Sequence, residues 1–289
     1  LSALATNHVV HGRVIFPGAG YLELARGAAS TDAALRGVFF VQPLAVETAG
    51  LLIECVVADG RFEVRSGQTD GAWADAAVHC SGALAPGGER QRIEHASARS
   101  HSGAWGAALG PLYDGFDAAG LQYGPGYRTL VRAWRGSDGA TARLGARSTH
   151  KDTAVHPADL DDALCLGALV PSGGGGEAGT WLPFAVDEAA LRGVVGALWA
   201  VAARQGGKAM RVGLAVDEGT TQAQLEGFKS RLLRAEVAVT RRELYTTDWG
   251  VADAEKATNA TMLLTGSGQL AHGWCMGLGA GGELEGTPH

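Results

Sequence analysis

The sequence predicts an α+β fold made of two similar halves, each an antiparallel sheet wrapped around one mostly apolar helix. Three observations carry this. Short β-rich runs divided by glycine- and aspartate-containing turns fill residues 35–84 and return between 127 and 216, the pattern of a meander. Two segments, near 18–29 and 156–170, read as apolar helices, and a proline opens each, Pro17 and Pro157. With 44 glycines among 289 residues, an all-helical chain is ruled against.

The element that organises the chain comes first. Residues 8–29, HVVHGRVIFPGAGYLELARGAA, begin with β-branched Val9, Val10, Val14 and Ile15, interrupted at Gly12. Pro17, Gly18 and Gly20 then mark a tight turn into a helix of about three turns. Such a helix start leaves amides free, here those of Gly18, Ala19 and Gly20, and they are suited to holding a polarised carbonyl oxygen. Strands are expected at 35–46, 51–57, 61–65 and 73–84, and a polar surface linker without periodicity at 86–105. The second half is expected to place strands at 127–135 and 140–146, a helix at 156–170, and strands at 181–186, 198–203, 210–216 and 235–244. Past 244 the character changes, and 262–268 reads as a strand entering a glycine turn. The resulting division is 1–86, a linker at 87–108, 109–245, and a final segment at 246–289 that opens a further α/β domain.

Composition removes several classes of function. Hydrophobic residues make up 46% and charged residues 19%, which suits a packed globular chain. The net charge is −6 with no lysine/arginine block, so no nucleic-acid partner is expected. No apolar run is long enough to span a bilayer, so no membrane partner is expected either. Cys55, Cys80, Cys165 and Cys275 are scattered without CxxC spacing, which fits a reducing, cytoplasmic setting better than a disulfide framework. No metal set is completed by His79 with Cys80 or by His8 with His11. The chain begins at Leu1, which reads as a piece of a longer protein.

Three places could carry chemistry. His8 sits just before the helix platform; it is either a hydrogen-bonded core histidine or a general base. Asp159, Asp161 and Asp162 follow Pro157, either as acids complementing a helix N-terminus or with one of them held neutral in an apolar pocket as an acid. Cys165, four residues beyond Asp161, falls on the same helix face. Tyr123, Gly124 and Pro125 form a turn whose tyrosine could hold a substrate oxygen. Arg128, Arg132 and Arg135 read as a solvated strand face or as a dock for an acidic partner. The glycines Gly277, Gly279 and Gly282 match GxGxxG, but too few residues follow to build the unit that motif needs.

Together these positions resemble the dehydratase domain of polyketide synthases, related to that of fatty acid synthases. The family motif HxxxGxxxxP is met by His8, Gly12 and Pro17, and continues into Gly18 and the helix. The YGPxF-type turn is met by Tyr123, Gly124 and Pro125, with Tyr127 in place of phenylalanine. HPxLLDxxx(Q/H) is met by His156, Pro157, Leu160 and Asp161, and LPF by Leu182, Pro183 and Phe184. The resemblance implies a double hot-dog fold with one active site between the halves. It implies no bound cofactor: the substrate is a β-hydroxyacyl thioester on the phosphopantetheine arm of an acyl carrier protein. His8 takes the α-proton, Asp161 protonates the departing hydroxyl, and the other motif residues support them. Neighbouring ketoreductase and enoylreductase domains and a homodimeric synthase are implied as partners. Leu244, Tyr245 and Trp249 resemble the opening of a ketoreductase structural subdomain.

Two departures stand out: Cys165 occupies the glutamine/histidine position, and Asp159 replaces a leucine. A scaffold without catalysis, or an isomerase or cyclase on the same fold, are the other readings; retention of both His8 and Asp161 argues against the isomerase.

Overall fold

The computed structural model describes residues 2–29, 33–47, 49–68, 76–87, 105–147, 153–171, 179–193, 197–216 and 221–233, together with three strands further on. The chain divides into two compact units, Leu1–Arg234 and Ala235–His289, so the first ends short of the boundary expected at 245.

The first unit opens with a short helix α1 (Ser2–Ala5) and a hairpin of β1 (His8–Val10) and β2 (Arg13–Val14). Val10 pairs with Arg13, so His11 and Gly12 alone make the turn, with φ of 49° and 76°. Two consecutive left-handed residues are what a type I′ hairpin demands, and glycine at position 12 meets that demand without strain. Helix α2 (Gly18–Ala28) follows, capped by Pro17 in extended conformation. Strands β3 (Ala33–Phe40), β4 (Leu51–Ala58), β5 (Arg61–Gln68) and β6 (Ala77–Pro86) complete the first half.

The second half runs β7 (Trp105–Ala107), α3 (Leu109–Ala118), β8 (Leu121–Tyr123), β9 (Leu130–Arg135), β10 (Gly139–Leu144) and α4 (Pro157–Cys165). It closes with β11 (Trp181–Leu191), β12 (Leu198–Arg204), β13 (Met210–Val216) and β14 (Ala223–Leu232). Eleven strands form one sheet in the order β4-β5-β6-β3-β11-β14-β13-β12-β10-β9-β7, every neighbour antiparallel. The halves join where β3 pairs with β11, Val38 opposite Val186, and Arg36 donates to Glu188 across that seam at 3.0 Å.

Each half of the sheet holds one helix. α2 lies on β3, β4 and β5, α4 lies on β12 and β13, and the two helices touch each other. Leu22 of α2 and Leu160 of α4 are fully buried among Leu35, Val38, Phe62, Leu214 and Leu225. Each such side chain contributes about 1.5–3 kcal/mol relative to exposure. A polar tie also joins the halves. Glu23, buried on α2, pairs with Arg26 at 2.8 Å and accepts from the backbone amides of Ala154 at 2.7 Å and Val155 at 3.4 Å, just ahead of α4.

Several elements differ from the sequence expectation. The helix expected at 156–170 is α-helical only to Cys165 and ends in a 3₁₀ turn, Leu166–Leu169. The end of the expected linker, Trp105–Ala107, is the edge strand beside β9. α3, LGPLYDGFDA, carries two glycines and a proline, so its propensity is poor; burial of Leu112 and Tyr113 holds it. β14, AQLEGFKSRL, is rich in weak strand formers and escapes a propensity reading, yet its burial alternates from Ala223 to Leu225 until Gly227. The strand expected at 235–244, the ketoreductase-like positions Leu244, Tyr245 and Trp249, and most of 246–289 lie outside the described residues. Within the second unit β15 (Thr261–Met262), β16 (Trp274–Leu278) and β17 (Leu284–Pro288) pair antiparallel.

Candidate active site

The hairpin of β1 and β2 pairs with β8, and this small sheet sets His8 opposite Tyr123. His8 is buried, and its Nδ1 lies 2.9 Å from the carbonyl oxygen of Ile15. A carbonyl can only accept, so Nδ1 carries a proton, and in the neutral imidazole the lone pair is on Nε2. That nitrogen faces Asp161 Oδ2 at 4.0 Å. The gap exceeds hydrogen-bond reach, so the lone pair is not capped by the acid. The rings of Tyr123 and Tyr127 flank the imidazole, with centroids 5.7 and 5.4 Å away.

Asp161 is fully buried on α4, and its Oδ2 has no hydrogen-bond partner. Burial raises its pKa above the ordinary carboxylate value; His8 and the Tyr123 hydroxyl pull the other way but do not reverse it. Burial, with Asp161 and Cys165 nearby, holds the Tyr123 phenol well above its usual range, so it remains a donor. The Cys165 thiol is likewise pushed up by burial and then by Asp161 and Asp162, so it stays protonated.

The two neighbouring aspartates have separate duties. Asp159 accepts from Arg147 Nε at 2.6 Å, and the same guanidinium reaches the Gly126 carbonyl at 3.0 Å. The acid that departs from the leucine pattern is thus an ion pair binding α4 to the Tyr123 turn. Asp162 accepts from Tyr113 at 2.8 Å and from the amide and hydroxyl of Thr129 at 2.6 and 2.5 Å. Burial nevertheless pushes its pKa up to about 7. Of three aspartates in four positions, only Asp161 is left facing the cavity.

That cavity is a chamber of about 90 Å³ lined by His8, Gly18, Tyr21, Tyr123, Asp161, Leu182 and Pro183, among others. Gly18 packs closely against Pro183: a Cβ there would stand 3.0 Å from Pro183 Cγ, tighter than ordinary contact. Gly18 and Ala19 open α2, whereas the Gly20 amide is spent on the Pro17 carbonyl at 2.9 Å. The platform is therefore two amides wide rather than three. A second cavity of about 610 Å³ shares Tyr123, Asp161, Trp181 and Pro183 with the chamber and extends past Cys165.

The other motif residues lie away from the chamber. Gly12 shapes the hairpin turn, and its amide donates to Gln122. Pro17 caps α2. Gly124 and Pro125 start the 3₁₀ turn that carries Tyr127, whose hydroxyl donates to Leu4 O at 2.6 Å. His156 caps α4 by accepting from the Ala158 amide at 3.2 Å, and Pro157 takes the first helical position. Phe184 points outward against Phe39, under the Arg231 guanidinium. Arg128 is not a free docking charge: it donates to the Tyr123 carbonyl at 2.7 Å and stacks on Tyr113.

Arg147, Thr129, Tyr113 and Glu23 escape the sequence reading. Only Glu23 leaves a trace there, as a lone acid in an apolar helix.

The fold is a double hot-dog, shared with the dehydratase domain from the CurF module of curacin polyketide synthase (TM-score 0.68, 20% identity, 80% of this chain and 89% of that one). A trans-AT polyketide synthase dehydratase domain from Brevibacillus brevis superposes equally well (TM-score 0.69, 22% identity, 80% and 90%). Residues 2–67 match the family described as the polyketide synthase dehydratase domain, and residues 93–239 the one described as its N-terminal domain. The chain belongs to the polyketide synthase dehydratase family. Among curated relatives, polyketide synthase ThaG of Burkholderia thailandensis is 33% identical over 78% of this chain, and erythronolide synthase EryA2 of Saccharopolyspora erythraea 32% over 64%. The chain spans only 4% and 5% of those two proteins.

Proposed function

We propose that this domain removes water from a β-hydroxyacyl thioester carried on the phosphopantetheine arm of an acyl carrier protein. His8 Nε2 takes the α-proton; the electron pair of the Cα–H bond becomes the new C=C bond. The Cβ–O bond breaks, and the departing oxygen takes the proton of the Asp161 carboxyl to leave as water. The α-proton is only weakly acidic until the thioester oxygen is held, and Gly18, which opens α2 and lines the chamber, offers the amide that holds it in this reading. Hydroxide is a poor leaving group, so the acid is needed as much as the base. Afterwards the imidazolium and carboxylate face each other across 4.0 Å, beyond hydrogen-bond reach, and each is reset by proton exchange with solvent once the product has left.

The observation that carries this reading is the juxtaposition of the pair. The Ile15 carbonyl holds His8 by Nδ1 and leaves Nε2 toward Asp161 Oδ2, 4.0 Å away, while burial raises the Asp161 carboxyl above its ordinary value. In support, solved structures of the CurK dehydratase include a His→Phe and an Asp→Asn variant, each described as inactive.

Elimination of water moves protons and no net electrons, so no redox cofactor enters. In a synthase the β-hydroxyl would come from a ketoreductase and the enoyl product could pass to an enoylreductase, with the domain pairing in a homodimer. The test is to mix the protein with a short β-hydroxyacyl thioester and follow enoyl absorbance. Enoyl product from the parent protein, and none from His8→Ala or Asp161→Asn, is expected. Equal turnover by parent and variants would overturn the assignment.

A further inference from the structure

The two cavities that meet at Asp161 differ in which reacting groups they contain. His8 and Gly18 line only the small chamber, whereas Cys165, Gly167, Met210 and Phe228 line only the large one. Asp161 and Tyr123 line both. A β-hydroxyacyl thioester has a fixed order of atoms as well: arm, thioester carbonyl, α-carbon, β-carbon, then the rest of the chain. Laid along the residues, the carbonyl belongs beside Gly18, the α-carbon beside His8 and the β-carbon beside Asp161. Everything beyond the β-carbon must then continue on the side of Asp161 away from His8.

We propose that the distal acyl chain lies in the 610 Å³ cavity and that Gly167 and Met210 form the wall that limits its length and bulk, while the arm enters past Gln42 and Arg231. This rests on the dehydratase reading above and gives it a direction. The chamber of about 90 Å³ is far below the roughly 300–1,000 Å³ that holds a sizeable ligand, and the second cavity is within that range. α4 and the turn after it supply a continuous track. Asp161, Leu164, Cys165 and Ala168 recur at helical spacing and all line the large cavity, a path of about 10 Å along the axis. Cys165 is shorter than a glutamine or histidine and carries a protonated thiol, so it widens this track next to Asp161 instead of closing it. Gly167 and Met210 meet in one stretch of the lining: a Cβ on Gly167 would stand 2.8 Å from Met210 Cε, the free end of a flexible side chain, so added bulk at either position presses on that wall.

The test compares β-hydroxybutyryl and β-hydroxyoctanoyl pantetheine thioesters in the full chain, in Gly167→Leu and in Met210→Trp. Each protein's own short-chain rate is the control for folding. The ratio of kcat/KM for the long over the short substrate is expected to fall roughly ten- to a hundredfold in both variants. An unchanged ratio in both variants, with the parent still turning over both substrates, would place the chain elsewhere and overturn the assignment. No enoyl product from the parent with either substrate would instead overturn the dehydratase reading itself.

Discussion

His8 Nε2 and Asp161 Oδ2 stand 4.0 Å apart, the first on a strand of one half and the second on the helix of the other. This pair is made only by bringing the two halves together, since each half supplies one of its members. The separation is set by three anchors: the Ile15 carbonyl behind the imidazole, Asp162 tying α4 to Thr129, and Glu23 holding the chain that enters α4.

Removing either member of that pair is expected to lower enoyl formation by about 10²–10⁴-fold, the worth of a positioned acid or base. Asp161→Asn should do so without lowering the melting temperature, because the buried Oδ2 it replaces makes no hydrogen bond. Kinetics and thermal denaturation on the same sample check both parts. A large fall in melting temperature would mean that the lost activity reports unfolding.

Stability is expected to fall as pH rises. Burial raises the Asp161 carboxyl above its ordinary value and carries Asp162 up to about 7. In the unfolded chain both titrate near ~3.9, so above that pH the folded protein binds more protons than the unfolded one. The stability contributed by the neutral carboxyls is complete below the unfolded value and is lost as pH passes the folded values. Urea midpoints should therefore be lower at about pH 9 than at about pH 5, and Asp161→Asn should flatten the difference. A midpoint that climbs over this interval would contradict the neutral carboxyls.

The alkaline side of the rate profile should report the same group. Once Asp161 gives up its proton it can no longer protonate the leaving hydroxyl, so kcat should decline as pH rises through its folded value. A pH series on a single thioester substrate reads this limb. A rate profile with no alkaline limb over the whole range in which the protein stays folded would assign the acid to another group.

Arg147→Met is expected to cost about 3–5 kcal/mol of stability, since it takes the guanidinium away from the buried Asp159 carboxylate. Adding Asp159→Leu should recover most of that loss, because an apolar pair of similar volume replaces an ion pair at little net change. Denaturant unfolding of both single variants and the double variant closes the cycle. Independent, additive losses would mean that the two side chains do not act as a pair.

Asp162→Ala should destabilise without touching the chemistry directly. It leaves the Tyr113 hydroxyl and the Thr129 amide without their acceptor, at about 1–3 kcal/mol for each orphaned group. For a unit of this size that lowers the melting temperature by roughly 4–24 °C. A shift within a degree would show that water replaces the carboxylate at no loss.

The local sequence determined a good deal. A β-branched run broken at Gly12 dictates a hairpin, Pro17 and Pro157 dictate where two helices begin, and alternation of apolar residues dictates most strands. The pattern from His8 to Pro17 and the one from His156 to Asp161 sufficed to nominate base and acid. These features were legible because turns, caps and periodicity act within a few residues of one another. β14 and α3 were not, since long-range burial overrides their weak propensities.

Only the tertiary structure decided which of three adjacent aspartates faces the cavity. All three share one helix and one dipole, so the local electrostatics of the helix do not separate them. Arg147 neutralises Asp159, and Tyr113 with Thr129 engages Asp162; each partner comes from a different stretch of chain. Asp161 alone is left with a bare oxygen beside His8. The tautomer of that histidine and the polarity of the joined cavities were likewise fixed by distant contacts, because desolvation and hydrogen-bond partners are properties of the packed molecule.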